Sequence, residues 1–316
     1  MTRAQQRTLR HRIDIEGAGL HSGKPVKMSL VPGAPSSGVV FVRTDLKPHV
    51  EIPAKVENVV DTVMATRIGV TDADRTVRVG TVEHLMAAIH GLGIDNLRIE
   101  VHGSEVPVMD GSSMPFVHLM QAVGLRFQET FKRVLVVKRP VEVRDGDRLA
   151  RLCPARRFRV SCMVDFDHPL IRDQKLDLEI TPESFLKDIS SARTFGFLKD
   201  VERLKANGLA LGGSLDNAVV IDEFSVLNTG GLRYADEFVR HKALDAIGDL
   251  ALLGMPIAGH LTAVRSGHAL NNRLTRVLLA EHKAYEILEA GPASRDKDAE
   301  TVGEALPAYG LADVAA

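Results

Sequence analysis

Four short segments of the chain carry residue types that can do hydrolytic chemistry. His241 and Asp245 are four residues apart in a helical stretch, so both project from one face and can offer a nitrogen and an oxygen ligand to one metal ion. Asp249 continues along a neighbouring line of that surface. The same pair also suits an exposed helix, where it makes only a charge-assisted hydrogen bond. Glu83 and His84 are adjacent, hence about 100° apart around a helix axis, and cannot both point at one atom. If His84 held a metal, Glu83 could reach a water on it and take its proton. The alternative for Glu-His at a helix start is surface decoration that suits the helix dipole. His268, in Ser266-Gly267-His268, is expected on a turn after a strand, where a side chain can enter a cleft as a general acid. The segment Ser191-Ala192-Arg193-Thr194-Phe195 offers the hydroxyl of Thr194 to a developing oxyanion.

Elements of regular structure must position these groups. Strand-like runs are expected at 26–30, 38–42 and 50–52, and Thr81 should cap a helix over 82–90 that Gly91 ends. A strand over 97–101 precedes a helix that begins after Pro115 and stops at Gly124. Charged and Val-rich residues over 126–138 mark a domain junction. Further strands follow at 134–137, 141–143, 157–165 and 176–180, then an irregular region rich in Gly and apolar residues over 190–232. A long helix over 236–253, a strand over 260–264 and a last helical stretch over 270–289 complete the pattern. The tail, 291–316, has no helical period and is expected to be a mobile, frayed end; a handle for a protease is the competing reading of its apolar finish over 311–316.

The chain has 316 residues, room for about two domains. Its 40 Lys and Arg balance 41 Asp and Glu, which leaves no global field to draw in nucleic acid or an anionic bilayer. No apolar run is long enough to span a membrane, and no apolar segment follows the basic N-terminus as a secretory signal requires. Cys153 and Cys162 cannot build a disulfide framework, and a reducing compartment fits them best. The segment Gly17-Ala18-Gly19-Leu20-His21-Ser22-Gly23-Lys24 is not a phosphate loop, because Pro25 stands where the magnesium-binding hydroxyl would be.

Taken together, five segments closely resemble the bacterial UDP-3-O-acyl-N-acetylglucosamine deacetylases, the zinc amidases of lipid A biosynthesis. They are Gly19-Leu20-His21-Ser22-Gly23, Thr81-Val82-Glu83-His84-Leu85, Val106-Pro107-Val108-Met109-Asp110-Gly111-Ser112, residues 191–196, and Phe238-Val239-Arg240-His241-Lys242 through Asp245 and Asp249 to Ser266-Gly267-His268. The likeness runs from about residue 8 to residue 280.

By this resemblance His84, His241 and Asp245 are the ligands of one Zn2+, a set that also tolerates Fe2+. Glu83 is the general base, His268 the general acid, Asp249 the residue that orients its ring, and Thr194 a partner of the oxyanion. Lys242 and Arg265 match cations near the reaction centre and the substrate diphosphate. Asp165 and Phe166 fall where the family contacts the nucleotide, Phe166 stacking on uracil. His21 sits close to the pocket with no assigned role. Phe195, with Leu198, Val201, Leu204, Leu209 and Leu211, resembles the insert that forms a passage for the 3-O-acyl chain; core packing is the competing reading.

The resemblance also implies an α+β fold of two similar domains, each a sheet with two helices and small inserts, with the helices sandwiched between the sheets. The boundaries expected are 1–126, 127–290 with the acyl-passage insert near 193–225, and the tail 291–316. The implied protein is a cytoplasmic monomer that acts on an acylated UDP-glucosamine and neither binds nucleic acid nor inserts in a membrane. Two other readings compete: a metal-dependent amidase or esterase for another substrate, and a non-enzymatic binding scaffold.

Overall fold

Alternation builds the first sheet. In Ile13–Ala18 the two isoleucines are buried while Asp14 and Glu16 face water, and in Pro25–Pro32 Val26, Met28 and Leu30 point inward. Five strands follow in the order Ile13–Ala18, Pro25–Pro32, Leu97–His102, Val39–Arg43, Val50–Pro53. Neighbours are antiparallel except Val39–Arg43 and Leu97–His102, which run parallel with Phe41 opposite Ile99. The computed structural model describes residues 5–72, 75–291 and 305–306.

A second sheet of seven strands is organised around Ile257–Val264, which pairs with Arg148–Cys153, Phe158–Val164 and Arg133–Val137. Among the described residues six α-helices accompany the sheets: α1 Glu83–Gly91, α2 Met114–Val123, α3 Pro182–Ser184, α4 Leu198–Ala206, α5 Glu237–Ala251 and α6 His268–Ala280. Helix α5 packs on the strands Phe158–Val164 and Gln174–Glu179 and also against α1, while α2 touches α1 and Ile13–Ala18. Helix α6 lies between α5 and the strands Val141–Asp145 and Arg148–Cys153. The fold is α+β. Helix α1 is enclosed on nearly every side, with only His90 among its residues short of full burial, so its polar residues are committed to the interior.

Several local expectations need correction. Thr81 does not cap α1: it takes a positive φ of 56° and its hydroxyl donates to Glu105 Oε1 at 2.9 Å, while Val82 occupies the cap position without a side-chain bond. A buried carboxylate has outcompeted the helix amides for that hydroxyl. The helical stretch expected over 270–289 is two elements, because α6 stops at Ala280 and Tyr285–Glu289 is a strand. That strand pairs antiparallel with Arg133–Val137, Leu288 opposite Val134, and a free sheet edge overrides local helical propensity. His268 is the first residue of α6, not a turn residue. The region expected to be irregular contains α4 and a parallel pair, Phe195–Phe197 with Val219–Ile221. In the tail, Ala305 and Leu306 are buried against Val134, Val136, Ala258, Leu288 and Ala290, so that part is packed rather than mobile. The expected protease handle, 311–316, lies outside the described residues.

Candidate metal centre and active site

The site forms where α1 and α5 touch, and one glycine permits the approach. A Cβ on Gly248 of α5 would stand 2.0 Å from the carbonyl oxygen of Glu83 on α1, so only glycine lets the two backbones meet. This contact brings together residues more than 150 positions apart in sequence. His84 Nε2 lies 3.5 Å and His241 Nε2 3.3 Å from Asp245 Oδ1, with the two imidazole rings nearly perpendicular at a centroid separation of 5.0 Å. One donor atom from each of the three residues falls within 4.8 Å of the others, and all three residues are buried.

Hydrogen bonds around this group orient its rings and its carboxylate. His241 Nδ1 is 3.1 Å from the carbonyl of Ala192; donating there places the Nε2 lone pair toward Asp245. Burial pushes the His241 imidazole down to about 3, so it is neutral, as a ligand must be. Lys242 donates to Asp245 Oδ2 at 2.8 Å, whereas Asp245 Oδ1 is buried without a hydrogen-bond partner. Burial opposes the Asp245 charge, but surrounding positive charge, the Lys242 ammonium bonded to it above all, outweighs it and holds the carboxyl well below its usual range. A buried carboxylate oxygen with no donor is costly, and two imidazole nitrogens facing it form a nitrogen and oxygen set suited to a divalent transition ion.

Glu83 and His268 face each other beside this set. Glu83 Oε1 is 3.8 Å from His268 Nε2, and Glu83 Oε2 accepts from the amide of Thr66 at 3.0 Å. Burial raises the Glu83 pKa, partly offset by His268 and His84, which gives a carboxylate more basic than usual. His268 Nδ1 is 3.0 Å from Asp249 Oδ2. Burial disfavours the charged ring, yet the carboxylates of Asp249 and Glu83 prevail and raise His268 to about 10. His268 is therefore an imidazolium at neutral pH, with a proton to give. Asp249 also accepts from Thr66 Oγ1 at 2.6 Å and from Asn271 Nδ2 at 2.8 Å.

Thr194 is fixed on both sides by its backbone, its amide donating to Gly111 and its carbonyl accepting from Val219, both at 2.8 Å. Phe195 stacks edge-on against Phe238 at 5.0 Å and against Phe166 at 5.9 Å, and the Lys242 ammonium lies 5.4 Å from its ring. Phe166 shares an open cleft with Asp165, Asp167, Arg172, Asp173 and Arg265. Arg265 donates to both Asp165 and Asp147, so its guanidinium is already engaged. His21 lines a second cleft, with Arg67, Glu105 and Leu209. None of Leu198, Val201, Leu204, Leu209 and Leu211 is fully buried, and Leu198 and Leu211 are half exposed, which disfavours the core-packing reading of the insert.

Sequence reasoning missed the supports. Glu237, fully buried, accepts from the Arg193 amide at 3.0 Å and from its guanidinium Nε at 2.8 Å, which fixes the segment whose Ala192 carbonyl orients His241. Glu105 accepts from the amides of His21 and Ser22 and so ties the glycine turn to α1 through Thr81. Asn271 lies one helical turn beyond His268, a spacing that could have flagged it. Thr66 carries no such signal.

The family model for LpxC, UDP-3-O-acyl N-acetylglycosamine deacetylase, matches residues 6–280. The chain belongs to this family. It is 56% identical over 285 residues to the UDP-3-O-acyl-N-acetylglucosamine deacetylase of Myxococcus xanthus (strain DK1622), covering 90% of each chain. It is 54% identical over 288 residues to the enzyme of that name from Anaeromyxobacter sp. (strain Fw109-5), covering 91% of this chain and 93% of the other. Against that from Shewanella baltica (strain OS155 / ATCC BAA-1091) the identity is 52% over 285 residues, 90% of this chain and 92% of the relative. The matched span contains every residue of the centre described above, and the family is metal-dependent. Among the described residues no helix is long and apolar enough to cross a membrane.

Proposed function

We propose that this protein hydrolyses the acetamide of UDP-3-O-(3-hydroxyacyl)-N-acetylglucosamine, releasing acetate and the free amine, the committed step of lipid A biosynthesis. The observation that carries the reading is the meeting of His84 and His241 around the unpartnered Asp245 Oδ1, with Glu83 and His268 beside them. His84, His241 and Asp245 would hold one divalent ion, Zn2+ in the first instance and Fe2+ as a substitute. When bound, that ion polarises the amide carbonyl and makes water a stronger acid.

The chain supplies the proton transfers. Glu83, with its raised pKa, takes the proton from the attacking water. His268, charged and held by Asp249, donates to the departing glucosamine nitrogen. The Thr194 hydroxyl and the Lys242 ammonium stabilise negative charge that develops on the former carbonyl oxygen and its surroundings. The cleft of Asp165, Phe166 and Arg265 receives the nucleotide, and Arg265 must exchange a carboxylate partner for diphosphate to do so. Phe195 and the half-exposed apolar side chains of 198–211 receive the acyl chain, and His21 closes the near wall of that side. The protein acts as a monomer in the cytoplasm, a reducing compartment that suits its two free cysteines, and the apolar finish over 311–316 is a segment a protease would recognise.

Acetate release is the test, measured on the acylated UDP-sugar and on analogues lacking either the UDP or the acyl group. Turnover should fall steeply for both analogues. Equal turnover of all three would favour a general amidase.

A further inference from the structure

Thr66 uses every polar group it has on the reaction centre. It stands just before the strand Arg67–Asp72 and is 1% exposed. Its amide donates to Glu83 Oε2 at 3.0 Å, its hydroxyl to Asp249 Oδ1 at 2.6 Å, and its carbonyl accepts from the Val82 amide at 3.3 Å, at the start of α1. Glu83 and Asp249 lie on different helices, and Thr66 hydrogen-bonds to both carboxylates.

Each bond constrains a different motion. The amide bond fixes Glu83 Oε2 and leaves Oε1 facing His268. The hydroxyl bond occupies Asp249 Oδ1, while Asn271 occupies Oδ2, itself held by Ser266 Oγ, which donates to Asn271 Oδ1 at 2.7 Å. With both oxygens anchored, the Asp249 carboxylate cannot rotate, and the His268 ring that it holds keeps its Nε2 turned toward Glu83. A hydroxyl lost from this buried position leaves Asp249 Oδ1 with only the longer contact to His268 Nδ1 at 3.2 Å.

We propose that Thr66 is a positioning residue for proton transfer, holding Glu83 through its amide and the Asp249 and His268 pair through its hydroxyl. The inference rests on the roles given to Glu83 and His268 under the proposed function. Thr66→Val removes the hydroxyl at constant shape and keeps the amide, and Thr66→Ser restores the hydroxyl.

The experiment compares the full-length, metal-loaded parent with both variants by steady-state acetate release, metal content and melting temperature, together with the His268 Nδ1–H resonance in protein labelled with 15N-histidine. Thr66→Val should lower kcat about 10- to 100-fold, the usual effect of losing an outer hydrogen bond at such a site, with KM and metal content unchanged and the resonance displaced. Thr66→Ser should recover kcat to within about threefold and restore the resonance. Should Thr66→Val fail to fold, Thr66→Ala is read in its place. A parental kcat in Thr66→Val, or a Thr66→Ser variant as slow as Thr66→Val, overturns the inference. If the parent itself releases no acetate, the proposed function falls, and the resonance alone then decides Thr66: unmoved in Thr66→Val, it refutes the positioning role.

Discussion

Gly248→Ala is the smallest change that should disable the site without touching a catalytic group. The added Cβ would lie 2.0 Å from the Glu83 carbonyl oxygen, 2.7 Å from its carbonyl carbon and 3.0 Å from its Cα, all backbone atoms of α1. No side-chain rotation can relieve such a contact. Relief to 3.0 Å requires α1 and α5 to separate by about 1 Å, and overpacking of this kind costs about 1–3 kcal/mol. Alanine regains about 1 kcal/mol of helix propensity over glycine, so the net loss of stability should be modest, about 0–2 kcal/mol. The loss of function should be larger. Glu83 and His84 ride on α1 while His241, Asp245 and Asp249 ride on α5, and a displacement of about 1 Å between reacting groups costs about 100-fold in rate. Acetate release, metal content and thermal melting on the same preparation measure all three effects. A variant with parental turnover and melting temperature would refute the claim that backbone contact at Gly248 sets the geometry of the centre.

Charge on His268 should make the metal-free protein sensitive to alkali. Its folded pKa of about 10 stands above the ordinary 6.5, so its contribution to stability is complete below about pH 6.5 and is lost as the pH rises toward 10. Denaturant unfolding of chelator-treated protein should show that decline, and His268→Gln should flatten it; parallel slopes would contradict the assignment. Glu237→Gln should weaken the clamp on Arg193, lower the melting temperature and, through the Ala192 carbonyl, reduce metal affinity by about 10-fold or more, measured by competition with a chromophoric chelator. Unchanged affinity would mean that the orientation of His241 does not depend on that clamp.

That Glu83, His84, His241, Asp245 and His268 belong together could be read because each sits in a short segment with its own spacing: Glu83 next to His84, His241 four residues before Asp245, and His268 after a glycine. Helix α5 was legible because its length and apolar content are clear, and Gly124 ended α2 as expected, at a positive φ of 72° that glycine adopts without strain. What escaped depends on partners distant in the chain. Thr81 looks like a helix cap until Glu105, 24 residues on, competes for its hydroxyl. Tyr285–Glu289 looks helical in continuity with α6 until the edge of Arg133–Val137 offers it a ladder. Thr66 bonds to Asp249 across 183 residues, and no local pattern encodes that contact. Glu237 was hidden for a different reason: a fully buried glutamate on a polar-looking helix start reads as a solvated charge until Arg193 is seen beside it.

The central claim is that His84, His241 and Asp245 hold one ion on which deacetylation depends. Metal-depleted protein should be titrated with Zn2+ while acetate release from the acylated UDP-sugar is followed, beside His241→Ala treated identically. Activity rising to a plateau at one equivalent in the parent, with no tight binding and no recovery in the variant, is the predicted result. Full activity in the depleted parent, or one tightly held ion in His241→Ala, would contradict it.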